Sequence, residues 1–285
     1  MWTKKFLLTV LLTGVILLSF CCVKKIPDKI VWNSSLTEGF KLAQEKNKNL
    51  LVDFFKEDCP WCKRLDDSTF TDRDVIRLGL EFLFVKINGV KDSVLANPYG
   101  VNAYPTVIIF NPKGEEIDRI VGYLPPREFL KTVRSYLKGE GTLADYENKL
   151  AKDTKNVELL YRVAEKYQDR GNYNKALLFY QTIILLDPKN TKGKTDSTIF
   201  NMGLTSMKLK DYPTAVQRFS DLTKSFPKSG LLLDADEYIP YAYAKSGDTT
   251  KALNLFQKLL EDHPDLSTGD KEWVEKQVKK LKKEE

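Results

Sequence analysis

The stretch of residues 50–62, LLVDFFKEDCPWC, constrains this chain more than any other. The run LLVDFF, apolar but for Asp53, has the length of a buried strand. A charged turn follows, and then Cys59, Pro60, Trp61 and Cys62. Proline suits the first turn of a helix, because it has no N–H to leave unpaired there. A strand that runs directly into a helix carrying two cysteines can serve as a redox couple, half a metal site or a structural staple. The other cysteines are Cys21 and Cys22, and the single histidine is His263, so the tetrahedral shell of a zinc site lacks ligands. A staple across so short a loop gains little from closure. A thiolate at Cys59 would gain from the free N–H groups and dipole at the helix start, which makes it the expected attacking thiol. Cys62, one turn later on the same face, can reach back to resolve a mixed disulfide. Lys63 and Arg64 favour the thiolate, and Glu57 and Asp58 oppose it.

The flanking segments repeat the alternation of strand and helix. SSLTEGFKLAQEKNKN has helical spacing, with Ser34 or Ser35 as N-cap. FLFVKI, TVIIF and DRIVGYL read as strands, the second ended by the turn NPKG. KRLDDSTFTDRDVIRLGL is largely helical, and REFLKTVRSYL closes as an amphipathic helix. This order predicts an α/β sandwich with a mixed sheet over residues 26–140. LLVDFFKEDCPWCK, with VKIN, YGVNAYPTVIIFNPKGE and RIVGY at matching spacing, resembles the thioredoxin family, and its exported members more closely than the cytosolic ones. The family's Trp-Cys-Gly-Pro-Cys is here Asp-Cys-Pro-Trp-Cys. The resemblance implies a redox-active disulfide between Cys59 and Cys62. It implies that Asp53 is the buried acid behind the second cysteine, with Lys86 as its partner. It implies a cis-proline at Pro105, and Trp61, Tyr104 and Thr106 beside the substrate. Asp53 turned to solvent at a strand edge is the alternative. No cofactor is implied.

The N-terminus, MWTKKFLLTVLLTGVILLSFCCVKK, sets two lysines before an apolar run that is short for a membrane span. It reads as an export segment over residues 1–22. It resembles a bacterial lipoprotein signal with Cys21 as the lipidated residue, although Phe20 stands where a small residue is usual. An uncleaved anchor is the alternative. Either form places the body outside the cytoplasm, tethered to a membrane, where disulfide chemistry has substrates.

After a linker at 141–155, residues 156–285 carry a repeat. Pro188, Pro227 and Pro264 are preceded twelve residues earlier by Ala176, Ala215 and Ala252. Eight residues before each stands Tyr180, Phe219 or Phe256, and five before stands Ile183, Leu222 or Leu259. The pattern resembles tetratricopeptide repeats, pairs of antiparallel helices in which a small residue permits close approach and proline ends the second helix. Spacers near residues 192–194 and Gly230 lengthen the period, and Pro240 predicts a kink or a late start in the third repeat. DKEWVEKQVKKLKK would cap the array, and an irregular bundle is the alternative. Ile199, Met202 and Gly203 form a core stripe. A second stripe through Phe200, Leu204 and Met207, with Tyr161 and Tyr241 at matching places, predicts an aromatic groove for a peptide or protein partner. The redox domain or capping helix could instead cover it. His263, beside its proline, reads as structural or solvent-facing rather than catalytic.

The formal net charge of +6 implies no basic field. Residues 26–140 hold 17 basic and 17 acidic side chains, and the region beyond holds 24 and 22, which argues against nucleic-acid binding. Two function classes follow. One is an exported thiol–disulfide oxidoreductase that acts on protein thiols and disulfides, is served by an upstream redox protein, and uses its repeats to hold a client. The other is a non-catalytic interaction scaffold of the cell envelope.

Overall fold

The computed structural model describes residues 26–283. The export segment 1–22 and the lipidation site at Cys21 lie outside the described residues. The first half is built from β1 (Trp32–Asn33), α1 (Leu36–Lys46), β2 (Asn49–Phe55), α2 (Pro60–Arg64), α3 (Arg73–Ile76), β3 (Phe82–Asn88), α4 (Ser93–Ala96), β4 (Thr106–Phe110), β5 (Glu116–Val121) and α5 (Pro126–Leu137). A wider π turn over Leu65–Thr69 continues α2. The sheet order is β1-β3-β2-β4-β5, with β1 and β2 parallel to β3, and with β2 and β4 as well as β4 and β5 antiparallel. The sheet is therefore mixed, as the sequence predicts; β1, two residues long, carries too little pattern to read.

Side chains of a strand alternate between faces. Leu50, Val52 and Phe54 of β2 pack with Leu36, Phe40 and Ala43 of α1. Leu51 faces the other way, with Phe70, Val75, Phe129 and Val133 from the π turn, α3 and α5. Asp53 shares the face of Leu51, which sends its carboxylate under the helix that carries the cysteines. Ser35 caps α1, its side chain accepting from Glu38 N.

Helices fill the rest of the described chain: α6 (Leu143–Leu150), α7 (Val157–Asp169), α8 (Tyr173–Leu186), α9 (Thr195–Lys208), α10 (Tyr212–Ser225), α11 (Leu232–Ser246), α12 (Thr249–Asp262) and α13 (Thr268–Leu281). Residues 141–155, read above as linker, contain α6. Leu143, Tyr146 and Leu150 fall three and four residues apart and close over Val157, Leu160 and Tyr180 of the first helical pair. The pairs α7–α8, α9–α10 and α11–α12 bury Ala176, Ala215, Ala252, Tyr180, Phe219 and Phe256 completely. Pro240 sits inside α11 without ending it. α13 packs Trp273 and Val274 on the third pair, in the capping position.

Gly203 shows how tightly these pairs close. A Cβ there would lie 2.5 Å from Phe219 Cε1. Alanine is the better helix former by about 1 kcal/mol. The overlap outweighs this, because overpacking a filled core costs about 1–3 kcal/mol. Gly203→Ala is expected to lower the melting temperature, and an unchanged or raised value would show that Phe219 can move aside.

Candidate active site

Cys59 is the N-cap of α2 and Pro60 its first residue. The two cysteines form a disulfide with Cα atoms 5.2 Å apart. Cys59 Sγ accepts the Cys62 N–H at 3.1 Å, so a sulfur occupies the place of a capping oxygen. Tyr104 O lies 3.8 Å from the same sulfur. The Tyr104–Pro105 peptide bond is cis. Both sulfur-bearing residues are mostly covered, with Cys59 at 7% and Cys62 at 5% exposure.

Charges around the pair sort themselves by partner. Glu57 is joined to Lys91 at 2.6 Å, and Lys63 to Asp67 across one helical turn, so these charges are largely cancelled at the surface. The Arg64 guanidinium stands over the rings of Tyr123 and Trp61, at 4.9 and 5.7 Å. Those two rings stack at 5.9 Å, and Trp61 keeps 54% exposure beside the disulfide. Tyr123 adds an aromatic wall that the sequence reading did not single out.

Beneath the helix, Asp53 is buried, at 1% exposure. Its Oδ2 meets Lys86 Nζ at 3.1 Å, and its Oδ1 has no hydrogen-bond partner. Asp53 and Lys86 are register neighbours on β2 and β3. Burial pushes the Asp53 carboxyl up to about 6, against the opposing pull of Lys86. Lys86 also bonds Asp66 on the π turn, and its ammonium lies over Trp32, Phe55 and Phe70. The sequence reading missed Asp66 and Trp32. The signal for Asp66 is its spacing of four from Cys62, which places both on one helical face.

A folded carboxyl raised above its ordinary value gives most stability below the unfolded value near 3.8 and loses it as pH rises through about 6. At neutral pH its ionisation costs on the order of 3 kcal/mol. Asp53→Asn is therefore expected to stabilise the protein at pH 7.5, since Lys86 keeps Asp66. The same variant should slow thiol–disulfide exchange at least about tenfold, through loss of a proton acceptor. It should also lose the rise of rate with pH around 6. Stability and activity both unchanged would remove the role assigned to Asp53.

The remaining expected site residues divide. Thr106 is buried, paired in the sheet with both Phe54 and Val121, and its hydroxyl donates to Ala103 O at 2.8 Å. Its side chain thus holds the loop before Pro105, which leaves its backbone as the part expected beside a substrate. Tyr161 is 8% exposed, its hydroxyl accepting from Asn201 Nδ2 at 3.0 Å, so it is core between neighbouring repeats and not groove surface. Phe200 lies against Phe219 and Tyr238, at 5.5 and 5.7 Å, and seals the joint between the second and third pairs. Leu204, Met207 and Tyr241 do line a cavity, of about 540 Å³. Among the described residues no cluster of His, Cys, Asp and Glu could hold a metal ion, and no helix is long and apolar enough to cross a membrane.

The helical region is docked on the sheet by buried charge. Asp118 of β5 accepts from Lys166 Nζ at 2.9 Å, Arg170 Nη2 at 3.1 Å and Leu143 N at 2.6 Å. Arg119 is held by Glu116 and donates to Tyr99 O at 2.7 Å and Asp169 O at 3.2 Å. Lys208 Nζ donates to Asn102 O at 2.8 Å, two residues before Tyr104. Gly100, at φ +62°, has no room for a side chain against the Arg170 carbonyl.

A thioredoxin-like domain family model matches residues 36–137, and one described as an outer membrane lipoprotein, YfiO, matches residues 192–274. The thiol:disulfide interchange protein DsbD of Tatumella citrea is 31% identical over 100 residues, which are 33% of this chain and 17% of that one. The chain thus spans about a sixth of the length of such relatives. A thioredoxin of Griffithsia pacifica is 30% identical over 96 residues, which are 31% of this chain and 79% of that one. The solution structure of a thioredoxin from Thermus thermophilus aligns with a TM-score of 0.35 and 29% identity, over 38% of this chain and 86% of that one. With its cysteine pair at a strand-to-helix junction, its cis-proline beside the sulfur and a matching thioredoxin over most of that relative's length, the chain belongs to the thioredoxin family, and it continues into a helical region of tetratricopeptide type.

Proposed function

We propose that the protein is an exported, membrane-tethered thiol–disulfide oxidoreductase whose repeats hold the protein it acts on. The observation that carries this reading is the disulfide at the start of α2, with Tyr104 O beside Cys59 Sγ and a half-paired, buried Asp53 on the face below. In the reducing direction, the Cys59 thiolate attacks one sulfur of a substrate disulfide. A mixed disulfide forms, and the other substrate sulfur leaves as a thiolate that takes up a proton. Cys62 gives its proton to Asp53 and attacks the Cys59 sulfur, which releases the second substrate thiol. Two electrons pass to the substrate, and a dithiol protein must return them. The reverse sequence oxidises a substrate. Residues 26–140 form the redox domain, and residues 156–285 the repeats. The likeness to DsbD and to an outer membrane lipoprotein model supports an envelope location, with Cys21 as the lipid-bearing residue.

Cys62→Ser in the full chain is expected to accumulate mixed disulfides with envelope proteins, because the resolving thiol is gone. Cys21→Ala is expected to leave an unprocessed precursor. A Cys62→Ser protein that traps no partner, while Cys59 remains alkylatable, would sink the redox reading. A native chain that is soluble with Met1 intact would sink the tethering.

A further inference from the structure

The groove of the repeats and the disulfide are parts of one surface. The cavity lined by Leu204, Met207 and Tyr241 is completed from the redox domain by Asn102 and Ala103. Ala103 precedes Tyr104, whose carbonyl lies at Cys59 Sγ. Lys208, at the end of α9, is close enough to Lys56 of the active-site turn for the two charges to interact. Local desolvation first, and then that neighbouring charge, hold Lys208 below the usual lysine range.

The charge lining this surface is mainly positive. Lys208, Lys210 and Lys245 line the cavity, and the charge of Lys56, on the turn before Cys59, acts on Lys208. The single carboxylate in the lining, Asp169, is pushed up to about 6, first by burial and also by Glu165, against the pull of Lys166, Arg170 and Arg119. Lys208 donates to a backbone carbonyl and Lys245 lies over the Tyr241 ring at 5.2 Å, so neither ammonium meets a carboxylate in this arrangement. The tyrosine rings beneath offer flat apolar contact to a chain lying across them. The chain's own N-terminal segment is a poor occupant, since its charged residues are Lys4, Lys5, Lys24 and Lys25.

We propose that this cavity seats an acidic, extended stretch of the substrate polypeptide next to its reacting cysteine, so that the repeats select substrates for Cys59 by the charge of their flanks. This rests on the redox reading above and names the class of substrate for that site.

The test uses the reduced full chain and two synthetic peptide disulfides, identical except that one has glutamate and the other lysine flanking the cystine. A small aromatic disulfide without peptide reports Cys59 chemistry alone. The glutamate peptide is expected to react with a kcat/KM roughly tenfold higher at low salt, with the ratio shrinking towards one near about 0.5 M salt. Lys208→Glu with Lys245→Glu should invert the ratio. Lys245→Glu alone, on an exposed position of α11, should at least narrow it should the double variant not fold. Equal rates for the two peptides, or a ratio unmoved by these substitutions, would overturn the proposal while the small disulfide still reacts. Should the small disulfide fail as well, the redox reading itself fails. A dimer in solution that the glutamate peptide does not dissociate would assign the surface to a second copy, and so also overturn it.

Discussion

Cys59→Ser is expected to lower the rate of insulin disulfide reduction by roughly a thousandfold or more, whereas Cys62→Ser should stop turnover yet leave the first attack intact. Removal of a nucleophile that acts with its partners abolishes most of the rate. The asymmetry follows from position. Cys59 caps α2, so its sulfur receives the Cys62 N–H and the positive end of the helix, while the opposing charge of Glu57 is cancelled by Lys91. Cys62 lies inside the first turn, above the face to which Asp53 contributes a carboxyl held near 6. On the proposed mechanism its deprotonation depends on Asp53 and comes second. Alkylation of the reduced protein should mark Cys59 first at pH 6, and mass spectrometry of the labelled peptide decides it. Faster labelling of Cys62, or insulin reduction by Cys59→Ser, would reverse the roles.

Asp118→Ala is expected to cost about 3–5 kcal/mol, which is large for one side chain in a domain of ordinary stability. Asp118 is fully buried and serves Lys166, Arg170 and the Leu143 N–H. Its removal leaves the Lys166 ammonium, itself mostly buried, with the Tyr136 hydroxyl at 2.8 Å, that ring's face and the more distant charge of Asp169. Arg170 keeps Glu116 at 2.9 Å, which limits the loss on that side. An unpaired buried cation is what makes such a deletion costly, so a joint replacement should be milder. Asp118→Leu with Lys166→Met is expected to regain most of the stability. Asp118→Ala should also loosen the repeats from the sheet, seen as faster proteolysis and hydrogen exchange across residues 138–156. A loss under about 1 kcal/mol, or an unchanged exchange pattern there, would show that the ion pairs do not hold the two regions together.

Much of this molecule can be read locally. The strand-to-helix junction at Cys59, the burial of Asp53 within an apolar run and the alanine–aromatic–proline period of the repeats all follow from neighbours along the chain. Periodicity reports which face of an element is apolar, and that suffices where one face meets one core. It does not report which of two apolar stripes a neighbour covers, so Tyr161 and Phe200 read as groove although adjacent repeats bury the first and partly cover the second. Nor does it link charges far apart in sequence. Asp118 with Lys166, Lys86 with Asp66 and Lys208 with the loop before Pro105 are long-range pairings of residue types that are common on surfaces. Only the docking of α7 on the sheet makes Asp118 with Lys166 a buried anchor, and only tertiary packing brings the other two pairs together, because a charge acquires a specific partner when desolvation makes the alternative of water costly. The same docking sets the repeat groove beside the disulfide, a placement that no local pattern in the chain encodes.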